Sequence, residues 1–199
     1  MIIQRLLLRQ NKNISIISNK TPKFFWGFFV YSKISYIFVL KLIRMKEYKI
    51  YCDMDGVLID FDKGYLELTG HQLDGEHRSD DHFWDPINAA GYDFWINLEW
   101  MSDGKELWSY IEKYKPELLS APSRQNESRV AKNHWVDREL PGTHLILRSA
   151  KHKKDFAGPN NILIDDRVDN VNGWIESGGI GILHTSAKDT IEKLKQLGL

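Results

Sequence analysis

Cysteine is nearly missing from this chain of 199 residues: there is one, Cys52. That excludes an intramolecular disulfide and any cysteine-based metal cluster, since each needs more than one thiol. Cys52 lies inside an apolar run, where a thiol reads as a small buried residue. The seven histidines show no spacing that suits zinc. No internal repeat and no low-complexity tract is present. Net charge is missing too, with 27 Lys and Arg against 27 Asp and Glu. The balance is uneven along the chain. Residues 1–45 hold eight Lys or Arg and no acid, which leaves 19 basic and 27 acidic residues in the remainder. An acidic body disfavours long nucleic acid unless a local basic patch exists. Small anionic ligands stay open. Apolar content, at 42%, is that of an ordinary folded protein, and the length has room for one sizeable domain.

The first residues differ from the rest. FFWGFFVYSKISYIFVLKLI, Phe24 to Ile43, is long enough to cross a bilayer and follows basic residues. Lys33 near its centre and Lys41 near its end are costly there, and no small-residue cleavage site follows. Three readings compete: a membrane anchor over residues 24–43, an interfacial or partner-binding segment, or a stretch outside the working protein. Composition changes at Met45, and a start there would remove the anomaly, so the last reading is preferred. Residues 1–44 are then a basic hydrophobic extension and residues 45–199 the functional domain. The expected location is cytoplasmic, or membrane-anchored if residues 24–43 form a span.

From Met45 onward strand and helix patterns alternate. Tyr48–Cys52 reads as a short strand that turns at Gly56, and VLIDFDKGYLELTG as a loop entering a helix closed by Gly70. Residues 71–104, rich in His, Asp, Gly and Trp, read as an irregular or short-helical insert. GKELWSYIEKYK has helical spacing, with Leu107, Tyr110, Ile111 and Tyr114 on one face, and Pro116 ends it. ELLSAPS is a strand and turn. SRQNESRVAKNHWVDREL is a second helix, with Val130, His134 and Leu140 near one face. THLILRS, NNILIDD and IGILHT are strands; VNGWIESGG and SAKDTIEKLKQLGL are helices. Such alternation predicts an α/β fold with a parallel sheet.

Acids gather at two strand ends: Asp53 and Asp55 after the first, Asp165 and Asp166 after ILID. In open α/β sheets, ligands bind beyond the carboxyl ends of the strands. A lone acid there is usually a cap or turn former. Carboxylates clustered at two such ends repel one another unless a cation joins them, and oxygen ligands suit Mg2+. Ser120 ends the ELL strand, where a hydroxyl and backbone N–H groups can receive an oxyanion. RSAKHKK brings a basic cluster to another strand end. A lysine there offsets the negative charge that develops in phosphoryl transfer, or belongs to a solvated surface run. Two residues one apart on an extended strand point to opposite faces. For Asp53 and Asp55 to serve one phosphate, the chain must leave strand geometry at Asp53, with Gly56 permitting the turn.

In order, DMDGV, the Ser120 turn, a lysine and LIDDR resemble the four motifs of the haloacid dehalogenase-like phosphatase superfamily, over roughly residues 46–199. DMDGVLIDF with SAP and LIDDR looks most like the 5'(3')-deoxyribonucleotidase branch and its phage and bacterial relatives. The resemblance implies a Rossmannoid three-layer fold with a small inserted helical cap, over about residues 62–103. It implies Asp53 as nucleophile and metal ligand, and Asp55 as general acid and base whose main-chain carbonyl ligates Mg2+. Asp165 and Asp166 supply direct or outer-sphere metal contacts. Ser120 contacts the phosphate. Lys153 is the favoured third-motif lysine because Phe156-Ala157 follows it, with Lys151 as runner-up. Phe83-Trp84 resembles an aromatic pair that contacts the base, and Phe61 lines the same pocket; the plainer reading gives these rings to the core of the cap. Arg124 is a candidate phosphate contact or a surface residue at a helix start. Asp80, Asp81, Asp85 and Asp93 make the cap unsuited to polyanions. The expected ligand is a small nucleoside monophosphate, no long nucleic acid is expected, and a homodimer is plausible from the relatives. Another small phosphate ester, or a non-catalytic binding module on the same fold, are the alternatives.

Overall fold

Four residues, Lys49–Cys52, form strand β1 at the centre of a parallel sheet. The computed structural model describes residues 47–73 and 81–199. The basic extension, the segment 24–43, Met45 and Asp80 lie outside these, as does the side chain of Asp81. Among the described residues no helix is long and apolar enough to cross a membrane.

After β1 come α1 (Phe61–Thr69), a 3-10 turn (Asp81–Phe83), α2 (Trp84–Ala90), α3 (Tyr92–Ile96) and α4 (Gly104–Ile111). Then follow β2 (Glu117–Ser120), α5 (Asn126–Glu139), β3 (Leu145–Leu147) and a 3-10 segment (Ala150–Phe156). β4 (Asn161–Asp165), α6 (Val168–Glu176), β5 (Ile180–Leu183) and α7 (Ala187–Leu197) complete the chain. The strands lie in the order β3-β2-β1-β4-β5, and every neighbouring pair is parallel.

The sheet is covered on both faces, and the alternation along each strand shows it. Ile50, Cys52, Leu118, Ile162 and Ile164 belong to one apolar cluster; Tyr51, Leu119 and Leu163 belong to another, with Trp174. This is the three-layer α/β architecture expected, with short helices inserted between β1 and α4. Cys52 is buried, as its apolar setting suggested. Gly70 ends α1 in the left-handed conformation at φ +74°, its N–H donating to the Leu66 carbonyl.

The expected inward face of α5 is corrected in part. Leu140, which caps the helix, is buried, but Val130 is 39% exposed and His134 is exposed; the buried residues within α5 are Ser128, Ala131, Lys132, Trp135 and Val136. Their spacing is that of one helix face. It is hard to see in sequence because a serine and a lysine stand among its members.

Candidate active site

β1 ends at Cys52 and the chain turns at once. The Asp53 N–H donates to the Ile164 carbonyl (2.9 Å), which ties the turn to β4. The N–H groups of Val57, Leu58 and Ile59 all converge on the Met54 carbonyl at 3.2, 2.8 and 2.8 Å. Gly56 sits at φ +76°, a conformation that costs an L side chain about 1–2 kcal/mol. A Cβ there would also stand 2.5 Å from Oδ2 of Asp166. Glycine therefore serves both the turn and the approach of Asp166, the residue just past β4. The required break from strand geometry is present, and it carries Asp53 and Asp55 out of the alternation of a strand.

Asp53 is buried. Its Oδ1 accepts from the Met54 N–H (2.7 Å), and its Oδ2 lies 2.6 Å from Nζ of Lys153. The same ammonium is 2.7 Å from Oδ2 of Asp165. Lys151 and Lys154 are exposed, so Lys153 alone of the three enters the cluster. Burial pulls the Lys153 pKa down, but Asp53 and Asp165 outweigh it and leave the ammonium held above its ordinary value. Asp165 also accepts from the Arg167 N–H (3.0 Å) and from the side-chain amide of Asn170 (2.9 and 3.1 Å). Burial and then Asp53 raise Asp165, against Lys153 and Asn170. With both its oxygens accepting N–H bonds, we read Asp165 as ionised at neutral pH. Asp166 has less help. Burial first, then Asp53 and Asp165, push it up to about 7, and its Oδ1 is buried with no hydrogen-bond partner.

Oxygen atoms of Asp53, Asp165 and Asp166 lie within 4.8 Å of one another. Three carboxylates against one ammonium leave two negative charges when all are ionised, a divalent cation's worth. The all-oxygen donor set and the orphaned Asp166 oxygen suit a hard cation such as Mg2+. Asp55 is outside this carboxylate group. Its Oδ1 and Oδ2 lie 2.7 and 2.8 Å from Nζ of Lys132.

Ser120 ends β2, beside β1, and is fully buried. Its hydroxyl has no protein partner, which leaves it free to donate to an oxyanion. Arg124 is exposed in the loop after β2. Phe61 opens α1 and packs edge-on to Phe94 at 5.5 Å, with Trp95 at 5.7 Å. Phe83 is 4% exposed and stacked on Tyr65 at 4.8 Å, so it lies in the core of the insert, while Trp84 is half-buried. Sequence reasoning missed two residues at the site. Asn170, one turn into α6, grips Asp165. Lys132, in the middle of α5, grips Asp55; its signal is a charge at an inward position of the helix.

No family model matches the chain, and no curated protein matches it. Solved structures of similar fold include a hydrolase from Streptococcus pneumoniae TIGR4, at 13% identity and TM-score 0.47, covering 76% of this chain and 100% of its own. A predicted phosphatase from Clostridium acetobutylicum has 17% identity and TM-score 0.45, covering 76% of this chain and 90% of its own. A HAD-superfamily hydrolase from Ehrlichia chaffeensis has 12% identity and TM-score 0.43, covering 76% and 97%. Likeness at this level carries no argument for the fold or the chemistry of this chain.

Proposed function

We propose that the chain is a magnesium-dependent phosphomonoesterase of the haloacid dehalogenase-like kind, which hydrolyses 5' or 3' deoxyribonucleoside monophosphates through a phospho-aspartyl intermediate. One observation carries it. Asp53, at the end of the central strand, is oriented by Met54 N–H and Lys153 beside Asp165 and Asp166, while the turn at Gly56 presents Asp55 as a second, separate acid.

An Asp53 oxygen attacks phosphorus, and the ester P–O bond breaks as the leaving oxygen takes a proton from Asp55. Water then gives a proton to Asp55 while its oxygen attacks the phosphorus. The bond from phosphorus to the Asp53 oxygen breaks, releasing inorganic phosphate and restoring the carboxylate. Ser120 donates to a phosphoryl oxygen, and Lys153 offsets the charge that develops on the group in transfer. Asp53, Asp165, Asp166 and the Asp55 carbonyl would hold Mg2+, which when bound neutralises charge on the phosphoryl oxygens. Asp85 and Asp93 are exposed on the insert and repel polyanions, which supports a small monoester. Trp84 keeps exposed surface on which a base can stack.

Phosphate release from a panel of nucleoside monophosphates and sugar phosphates tests this, with and without Mg2+. The full chain is compared with a chain beginning at Met45 and with Asp53→Asn. Mg2+-dependent release from deoxynucleotides, lost in Asp53→Asn, is expected. Release from sugar phosphates alone would keep the mechanism and remove the nucleotide assignment. Equal turnover by the shorter chain would place residues 1–44 outside the catalytic unit.

A further inference from the structure

Each acid of the first motif has its own lysine. Lys153 serves Asp53. The second lysine, Lys132, comes from a different element, α5, and its ammonium meets both oxygens of Asp55 at 2.7 and 2.8 Å. The Lys132 side chain is 1% exposed and that of Asp55 27%. Nζ also stands 5.1 Å from the ring centre of Trp95 in α3. The other buried residues of α5 are Ser128, Ala131, Trp135 and Val136, so Lys132 is the charged member of that face.

Stability gives little reason for such a residue. Removing an ammonium from water costs several kcal/mol, and an apolar side chain of similar volume often serves as well. The contact does do something that packing cannot. The backbone of Asp55 is held by the turn from Met54 to Ile59, which leaves its side-chain rotation open. A two-oxygen grip removes that freedom and leaves lone pairs on each oxygen for another partner. α5 is itself seated on the insert. Trp135 Nε1 donates to the Leu98 carbonyl (2.9 Å), Arg138 to the Ile96 carbonyl (3.0 Å), and the Tyr92 hydroxyl is 2.9 Å from His134.

We propose that Lys132 is a positioning residue. It holds the Asp55 carboxyl group where it exchanges a proton with the leaving oxygen, and it links that group to the insert through Trp95. This rests on the phosphatase reading above. A misplaced proton donor is felt most where the leaving group is poor. An alkyl phosphate, such as a nucleoside 5'-phosphate, needs its leaving oxygen protonated. The leaving group of p-nitrophenyl phosphate departs with little such help.

The test compares kcat/KM for a deoxynucleoside monophosphate and for p-nitrophenyl phosphate. This ratio reports steps up to phosphorylation of Asp53 and is blind to later hydrolysis. For Lys132→Met in the full chain with Mg2+, the nucleotide value should fall about 10- to 100-fold. The fall should exceed that for p-nitrophenyl phosphate by tenfold or more. In an Asp55→Asn background, Lys132→Met should lower the p-nitrophenyl phosphate value no further, because two residues acting as a unit are not additive. Lys132→Gln, which keeps a donor, should lie between wild type and Lys132→Met, and it carries the same comparison if Lys132→Met does not fold. Equal losses on both substrates, or full additivity with Asp55→Asn, would overturn the proposal and leave the phosphatase standing. A wild-type protein that turns over neither ester removes the phosphatase reading, and the proposal with it.

Discussion

At Gly56 the backbone adopts φ +76°, and Oδ2 of Asp166 approaches to 2.5 Å of where a side chain would stand. Gly56→Ala should therefore lower stability by about 1–3 kcal/mol and weaken Mg2+ binding by displacing Asp166. Denaturant unfolding and a Mg2+ titration read the two effects separately. Asp166 also sets a dependence on pH. Its carboxyl, raised from 3.8 to about 7 in the folded protein, keeps a proton that the unfolded chain has already lost. The contribution is fully present below the unfolded value and is lost as pH rises through about 7. Without metal, the melting temperature should carry a decline from this group between about pH 4 and pH 7. A bound cation needs the ionised form, so Mg2+ should raise the melting temperature more at pH 8 than at pH 5. The same shift at both pH values would show that Asp166 does not meet the metal.

Among the elements, strand ends were the legible part. Asp53, Ser120 and Asp165 sit where an apolar run stops, and a run of that kind is read from neighbours in sequence. The helix α5 was harder. Its inward face includes Ser128 and Lys132, so apolarity alone misplaces the phase and points to Val130, which is exposed. Lys132 was hidden for that reason, since its partner Asp55 lies 77 positions away along the chain. Asn170 was hidden because an amide one turn into a helix looks like any surface residue. The pair Phe83-Trp84 divides for a physical reason: a small insert needs a core, and Phe83 supplies it against Tyr65. The phase of α5 is open to measurement. Trp135 is fully buried and bonded to the Leu98 carbonyl, so Trp135→Ala should cost about 3–5 kcal/mol. Val130→Ala should change stability by less than about 0.5 kcal/mol. Comparable losses at the two positions would contradict the observed face.

For the body Glu47–Leu199 as a whole, the insert and the sheet share one apolar cluster. Phe61, Phe83, Phe94, Trp95 and Leu98 belong to it together with Ile50, Leu118 and Ile164. Unfolding of this body should be a single transition, with tryptophan fluorescence and far-ultraviolet circular dichroism coinciding. Separate transitions would show that the insert holds together by itself. That shared core also bears on how such a protein changes over generations. The insert is not a module that recombination can exchange by itself, since replacing it would take Phe83, Phe94, Trp95 and Leu98 out of the cluster that also holds Ile50 of β1. Change in the insert is then confined to substitutions that keep this packing, and insert and sheet are inherited together.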